Sequence, residues 1–308
     1  MIETYISNIQ RFNVHDGNGF RTTVFFQGCG LRCKWCQNPE LISVSPVMVY
    51  NKDLCQKCGQ CELICETNAV LLDKNGQLHY DVTKCKQCLC CEGECYFGAI
   101  RFSSHLMCVD EVVEECLKDQ VFYKYHNGGV TLSGGEPLLQ SDFARDLLIH
   151  LKHNKINTTV ETAGFVPWEN IEKTIPFIDT FFYDVKLIDK RKRKYWLGTD
   201  DDCMLKNLEK LSSKHHNIII RIPLIPGVND SEAEFSSIID FVNQLPNLKY
   251  IHILPFHQLG QRKYEMIREN YELANRDTPA KEEINWCMNY AISHGYHVDV
   301  GGSEFTGK

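Results

Sequence analysis

Cys29, Cys33 and Cys36 stand in the spacing C-x3-C-x2-C, which brings three thiolates within one short loop. A four-iron cubane normally takes four cysteine ligands. The fourth could come from elsewhere in the chain, with Cys108, Cys116, Cys203 and Cys287 as candidates. Alternatively one iron is left open to an exogenous ligand, as the free position is in catalytic metal centres. A second cysteine pattern follows. C-x2-C-x2-C-x3-C occurs at Cys55, Cys58, Cys61 and Cys65, then at Cys85, Cys88, Cys91 and Cys95, each 30 residues later. A constant offset of that kind is an internal duplication.

The second pattern has the spacing of bacterial ferredoxins, in which the fourth cysteine of each run ligates the cluster of the other half. The expected ligand sets are therefore Cys55, Cys58 and Cys61 with Cys95, and Cys85, Cys88 and Cys91 with Cys65. Two details depart from the pattern. Glu66 and Tyr96 stand where a proline usually follows, and Cys90 is an adjacent spare thiol. Structural zinc, also held by four cysteines, is the competing reading.

The chain of 308 residues is 43% hydrophobic, enough for one large core and a small insert. A net charge of -7 makes no case for nucleic acid. Glu3, Arg11, Asp16 and Arg21 interrupt the first thirty residues, so no secretory signal is expected. No run approaches the eighteen apolar residues of a membrane span. A cytoplasmic protein is expected, and in a reducing compartment sixteen cysteines point to metal rather than disulfides.

Elements that must carry these residues follow from periodicity. Residues 22–27 (TTVFFQ) read as a strand, as do 130–133, 158–161, 180–184, 217–222 and 250–255, with 297–300 as a last short one. Helical spacing lies between them at 139–153, 203–213 and 231–244, the last opened by a capping box of Ser231 and Glu234. That alternation predicts an α/β protein with a parallel sheet. Residues 47–101 break the rhythm and read as an inserted domain, between a start at 1–46 and a remainder at 102–308.

In a parallel α/β barrel, chemistry sits at the C-terminal strand ends. Cys29 follows the first predicted strand. Gly134, Gly135 and Glu136 follow the second, Glu161 closes the third, Asp184 and Lys186 the fourth, and Arg221 lies near the end of the fifth. His257 follows the sixth. A Gly pair lets backbone approach a ligand closely, though it is more often only a turn. Lys186 and Arg221 can meet a carboxylate or form ordinary ion pairs with Asp184 and Glu161. Those acids could instead hold a cation. The basic run Lys190–Lys194 could dock an acidic partner or nucleic acid, or simply begin a solvated helix.

C-x3-C-x2-C with Trp35 before its last cysteine resembles the radical S-adenosylmethionine superfamily. VHDGNGFRTTVFFQGCGLRCKWCQNPE, GGVTLSGGEPLLQ, VETAG, YDVK, RIPLIPGVND and LPFHQLGQRKY narrow the resemblance to glycyl-radical-enzyme activating enzymes of the long class. His15, Asp16, Gly17 and Gly19 match that family's opening motif, and Asn18 replaces its proline. The resemblance implies a partial (β/α)6 TIM-type barrel with a ferredoxin-like insert and three 4Fe–4S clusters. It implies S-adenosylmethionine bound by Trp35, Cys36, Gln37, Gly134, Gly135, Glu136, Glu161, Asp184, Val185, Lys186, Arg221 and His257, with a monovalent cation as a further ligand. The implied partners are a glycyl radical enzyme and a flavodoxin or ferredoxin donor, not a membrane. Two other functions compete: a radical enzyme with a small-molecule or other peptide substrate, and an electron-transfer protein. A protein glycyl radical in a partner distinguishes the first reading from both.

Overall fold

The computed structural model describes residues 2–14 and 16–301, so His15 of the opening motif lies outside the described residues. Among these, nine strands form one sheet: β1 (Glu3–Asn13), β2 (Arg21–Phe26), β3 (His105–Cys108), β4 (Gly129–Gly134), β5 (Asn157–Thr162), β6 (Thr180–Asp184), β7 (Ile218–Leu224), β8 (Tyr250–Pro255) and β9 (His297–Val300). Their order is β9-β8-β7-β6-β5-β4-β2-β1-β3. All neighbours from β2 to β9 are parallel, which matches the sequence expectation. β1 is antiparallel to β2 and β3; neither β1 nor β3 was legible, because β1 is polar along most of its length.

The period of two divides the sheet's faces. Val24, Leu132, Val160, Phe181, Ile220 and Ile253 are buried against helix residues such as Phe143, Leu147, Leu151 and Ile238. The opposite face is mixed, with a polar row across four strands. Thr23, Thr131, Thr159 and Thr180 are in register across β2, β4, β5 and β6 and all are buried.

Three expected helices form at Ser141–His153, Cys203–Ser212 and Glu232–Asn243. The first is preceded by the 3-10 turn Pro137–Gln140. At the third, Ser231 accepts from the Glu234 backbone N–H, but the Glu234 carboxylate pairs with Lys192 at 2.7 Å. The basic run begins the helix Lys190–Leu197, capped by Asp189. Lys190, Arg191 and Lys194 are exposed, as in the solvated-helix reading, whereas Arg193 turns inward and is buried.

The insert keeps its duplication in three dimensions. Met48–Tyr50 and Leu78–Tyr80, Gln60–Leu63 and Cys90–Gly93, and Val70–Leu72 and Ile100–Phe102 are equivalents 30 residues apart. Met48–Tyr50 pairs with Ile100–Phe102, and Val70–Leu72 with Leu78–Tyr80, so both pairings join one repeat to the other. Gln27 ties the segment before the insert, its amide donating to the carbonyls of Glu40 (2.9 Å) and Ser43 (2.8 Å). Ser103, just after the insert, donates to Gln27 Oε1 at 3.0 Å.

Arg21, from the opening motif, is 1% exposed. Its guanidinium donates to Thr131 Oγ1 (2.6 Å), Val130 O (2.7 Å) and Asn157 Oδ1 (3.0 Å), clamping β2, β4 and β5. Burial lowers its pKa to about 10, so it stays charged at neutral pH. Arg21→Lys cannot span the three strands and should cost about 2–4 kcal/mol in denaturant unfolding; an unchanged midpoint would remove the clamp.

Candidate functional site

The loop after β2 presents Cys29, Cys33 and Cys36. Backbone hydrogen bonds brace it on two sides: Cys29 N to Ile42 O at 3.1 Å, Arg32 N to Leu197 O at 2.8 Å and Lys34 N to Trp196 O at 3.0 Å. It opens on a cleft with about 950 Å³ of empty space, which the three cysteines line together with Trp35, Gln37, Gly134, Gly135, Glu161, Asp184, Lys186 and Arg221. A larger space, about 2010 Å³, lies at the opposite strand ends and is lined by amides, threonines and the bases Arg21, Lys124 and Lys155. No candidate site residue lines it.

Three expected residues stand apart from the cleft lining. Glu136 is 1% exposed and turns inward, accepting from Thr162 Oγ1 (2.7 Å), Ala163 N (3.0 Å) and Leu138 N (3.3 Å). It ties the ends of β4 and β5 together. Val185 is buried in the main core and its backbone N–H donates to Arg221 O at 2.9 Å. His257 is exposed; its ring nitrogen caps a short 3-10 turn and its carbonyl accepts from Gln37. Sequence reasoning missed Ser133, which lines the cleft and donates to Glu161. Its signal was parity with Thr131 on the same strand face.

The glycine pair has a packing reason beside any ligand role. Gly134 has φ 110, and a Cβ there would meet Phe26 N at 2.4 Å. One on Gly135 would meet Gly28 O at 2.2 Å. The end of β4 thus lies directly on the backbone leading to Cys29, and Glu136 N donates to Gly28 O at 2.7 Å.

Charges in the cleft are paired. Lys186 Nζ donates to Asp184 Oδ2 at 2.6 Å; burial works against the ammonium, but Asp184 and the nearby thiols hold its pKa above the ordinary lysine value. Arg221 pairs with Glu161 and lies over the Phe182 ring, 5.0 Å from its centroid. Burial pushes the thiols of Cys29, Cys33 and Cys36 up to about 12. Three thiolates there need a strongly positive centre to offset desolvation, which an iron cluster supplies. Neither paired cation is free to do so.

In the insert, Cys55, Cys58, Cys61 and Cys95 line one small cavity. Cys65, Cys85, Cys88 and Cys91 line a second, joined by Cys90. The environments repeat as well. Lys57 N and Gln87 N donate to the sulfurs of Cys55 (3.4 Å) and Cys85 (3.3 Å), and Ala69 N and Ala99 N to those of Cys65 and Cys95, both at 3.2 Å. Lys57 and Gln87, Gly59 and Leu89, and Asn68 and Gly98 all have positive φ. Backbone N–H groups aimed at cysteine sulfurs suit iron–sulfur clusters, whose potentials such bonds help set. Each cavity thus gathers the four thiols that the ferredoxin spacing pairs.

Two family models match the chain: the radical SAM superfamily over residues 91–237 and a 4Fe-4S binding domain over 48–71. The chain is 38% identical to the (2S)-3-sulfopropanediol dehydratase activating enzyme of Klebsiella oxytoca, covering 97% of both chains. It is 35% identical to the indoleacetate decarboxylase activating enzyme of Tractidigestivibacter scatoligenes, with 96% of both covered. Identity to the trans-4-hydroxy-L-proline dehydratase activating enzyme of Clostridioides difficile is 36%, over 96% of this chain and 99% of that one. A radical SAM methyltransferase from Sphaerobacter thermophilus shares the fold, with a TM-score of 0.57 at 13% identity, over 96% of this chain and 77% of that one.

Burial raises the Glu136 carboxyl from 4.5 to about 7 against the pull of its three donors. Between those values the folded chain keeps a proton that the unfolded chain has lost, so stability falls as pH rises through the window. Unfolding at about pH 5 and about pH 7.5 should show a loss greater than that of Glu136→Gln by up to about 3 kcal/mol. Equal losses in both proteins would contradict this.

Proposed function

The chain belongs to the activating enzymes of glycyl radical enzymes, within the radical SAM superfamily, and we propose that it works through three 4Fe–4S clusters in two structural units. It is an oxidoreductase that uses iron–sulfur chemistry and S-adenosylmethionine to activate a glycyl radical enzyme. The architecture in this reading is a partial (β/α)6 barrel formed by 1–46 and 102–308, interrupted by a two-cluster ferredoxin-like domain at 47–101. Cys29, Cys33 and Cys36 hold the cluster whose open iron takes S-adenosylmethionine. Cys55, Cys58, Cys61 and Cys95 hold a second, and Cys65, Cys85, Cys88 and Cys91 a third. Among the described residues no helix is long and apolar enough to cross a membrane, and the working compartment in this reading is the cytoplasm.

When bound, the first cluster supplies the electron that breaks a sulfonium C–S bond, giving methionine and a 5′-deoxyadenosyl radical that takes an α-hydrogen from a glycine of the partner. The chain's residues bind and orient. Lys186 and Arg221 meet the methionine carboxylate with charge-assisted hydrogen bonds, Gly134 and Gly135 let the ligand close on backbone, and Trp35 and Gln37 flank the cluster loop. Asp184 and Glu161 keep the two bases in place or share a monovalent cation. Glu136 and Val185 act by positioning, and His257 by way of Gln37. Leu31, Ile42 and Leu254, which also line the cleft, help to keep water from the radical. The donor to the insert is a flavodoxin or ferredoxin.

The observation that carries this reading is a cleft with three thiols and, among the described residues, no other cysteine lining it, at the strand ends of a chain similar along nearly its whole length to activases. Anaerobic incubation with candidate glycyl radical enzymes, S-adenosylmethionine and dithionite should produce a glycyl radical by electron paramagnetic resonance, abolished by Cys36→Ser. A small-molecule product with no protein radical would overturn it. Replacing Cys58 and Cys88 together with serine should slow activation driven by flavodoxin more than activation driven by dithionite; equal loss with both would make the insert structural.

A further inference from the structure

The two cavities of the insert are near copies in their immediate charge. Lys57 and Glu94 line the first; Lys86 lines the second, and Glu66 acts on Cys90 beside it. Each also has a tyrosine nearby, Tyr50 and Tyr80, both packed against the insert's core. What differs comes from outside the insert.

The helix Gln261–Ile267 packs against Met48–Tyr50. Arg262 pairs with Asp53 at 2.8 Å. Arg268, just past the helix, donates to Leu78 O at 2.7 Å and lies over the Tyr50 ring, 5.3 Å from its centroid. Cys55 and these two arginines line the same space between helix and insert. The other side of the helix reaches the first cysteine loop, where the Tyr264 hydroxyl donates to Cys36 O at 3.0 Å and Lys263 Nζ to Asn38 Oδ1 at 2.6 Å. Among the described residues no cation lies over Tyr80. The second repeat meets the rest of the chain through Arg268 at Leu78 O, through Gln87 to Pro46 O and through Glu92 to His105, but among the described residues none of Cys65, Cys85, Cys88 and Cys91 lines the space beside the helix.

We propose that this helix joins the Cys55 cavity to the Cys36 loop as the last step of the relay, and that Arg268 makes the Cys55 cluster the more easily reduced of the insert's two. A positive charge at close range favours the state with the extra electron. One electron from an external flavodoxin-type donor therefore reduces the cluster at Cys65, Cys85, Cys88 and Cys91. Its reoxidation reduces the Cys55 cluster, which in turn delivers the electron across the helix to Cys29, Cys33 and Cys36. This rests on the three-cluster reading above.

The test is a potentiometric titration of the reconstituted full chain, followed by electron paramagnetic resonance. Arg268→Gln, which can still donate to Leu78 O, should lower the potential of one insert cluster by the equivalent of about a tenfold change in its reduced-to-oxidised ratio, ~59 mV for one electron. Arg268→Lys should restore it, and the other insert cluster should not move. Cys58→Ser, which perturbs the spectrum of the Cys55 set alone, identifies the signal that shifts. Unmoved potentials with full iron content, or a shift confined to the Cys85 set, would overturn the proposal. Iron for only one cluster in the wild-type chain would instead overturn the three-cluster reading.

Discussion

A buried thiol resists ionisation, and the whole cleft is organised around three of them. Burial holds Cys29, Cys33 and Cys36 near about 12, so they become ligands only when a positive group arrives to share the desolvation cost. The two nearest bases cannot play that part, because Lys186 is joined to Asp184 and Arg221 to Glu161. Those ion pairs leave the cleft close to neutral before anything binds. In the proposed reading the iron core of a cubane on these three thiolates would supply the missing positive charge, and the methionine end of S-adenosylmethionine would complete the coordination. A carboxylate that enters can compete with Asp184 or Glu161 for a base already in position.

The insert solves a different problem with the same chemistry. All of its thiols except Cys91 are at least partly exposed, in a segment whose own buried core is six side chains, Cys91 among them. Such a small core is typical of domains that owe much of their stability to metal. Pairing strands across the repeats binds the halves into one body, and the crossing of Cys65 and Cys95 into opposite cavities has the same effect. The repeats are alike in backbone and in N–H donors to sulfur, so any difference in their redox behaviour has to come from what they touch. The helix Gln261–Ile267 touches one of them.

Much of this was legible in the residues. The strand set, the parallel sheet and the 30-residue offset follow from apolar periodicity and cysteine spacing, and both of these survive folding because they are local. The grouping of Cys95 with the first cavity and Cys65 with the second agrees with the ferredoxin spacing rule. Glu136 was harder: nothing in SGGE distinguishes a carboxylate aimed at a ligand from one turned back to Thr162 and Ala163. β1 escaped because polar residues fill most of its length and mask the period of two. Tyr264, Arg262 and Arg268 sit about two hundred residues from the cysteines they bridge, and no local pattern marks a contact at that range.

The central claim is that the missing fourth ligand at Cys29, Cys33 and Cys36 is a substrate position. Electron–nuclear double resonance on the reduced chain, with nitrogen-15 in the amino group of S-adenosylmethionine, tests it directly. A nitrogen coupling to the cluster signal is expected, and it should persist when Cys108, Cys116, Cys203 and Cys287 are all replaced by serine. A cluster that shows no coupling, or that loses iron with those four cysteines, would contradict the account.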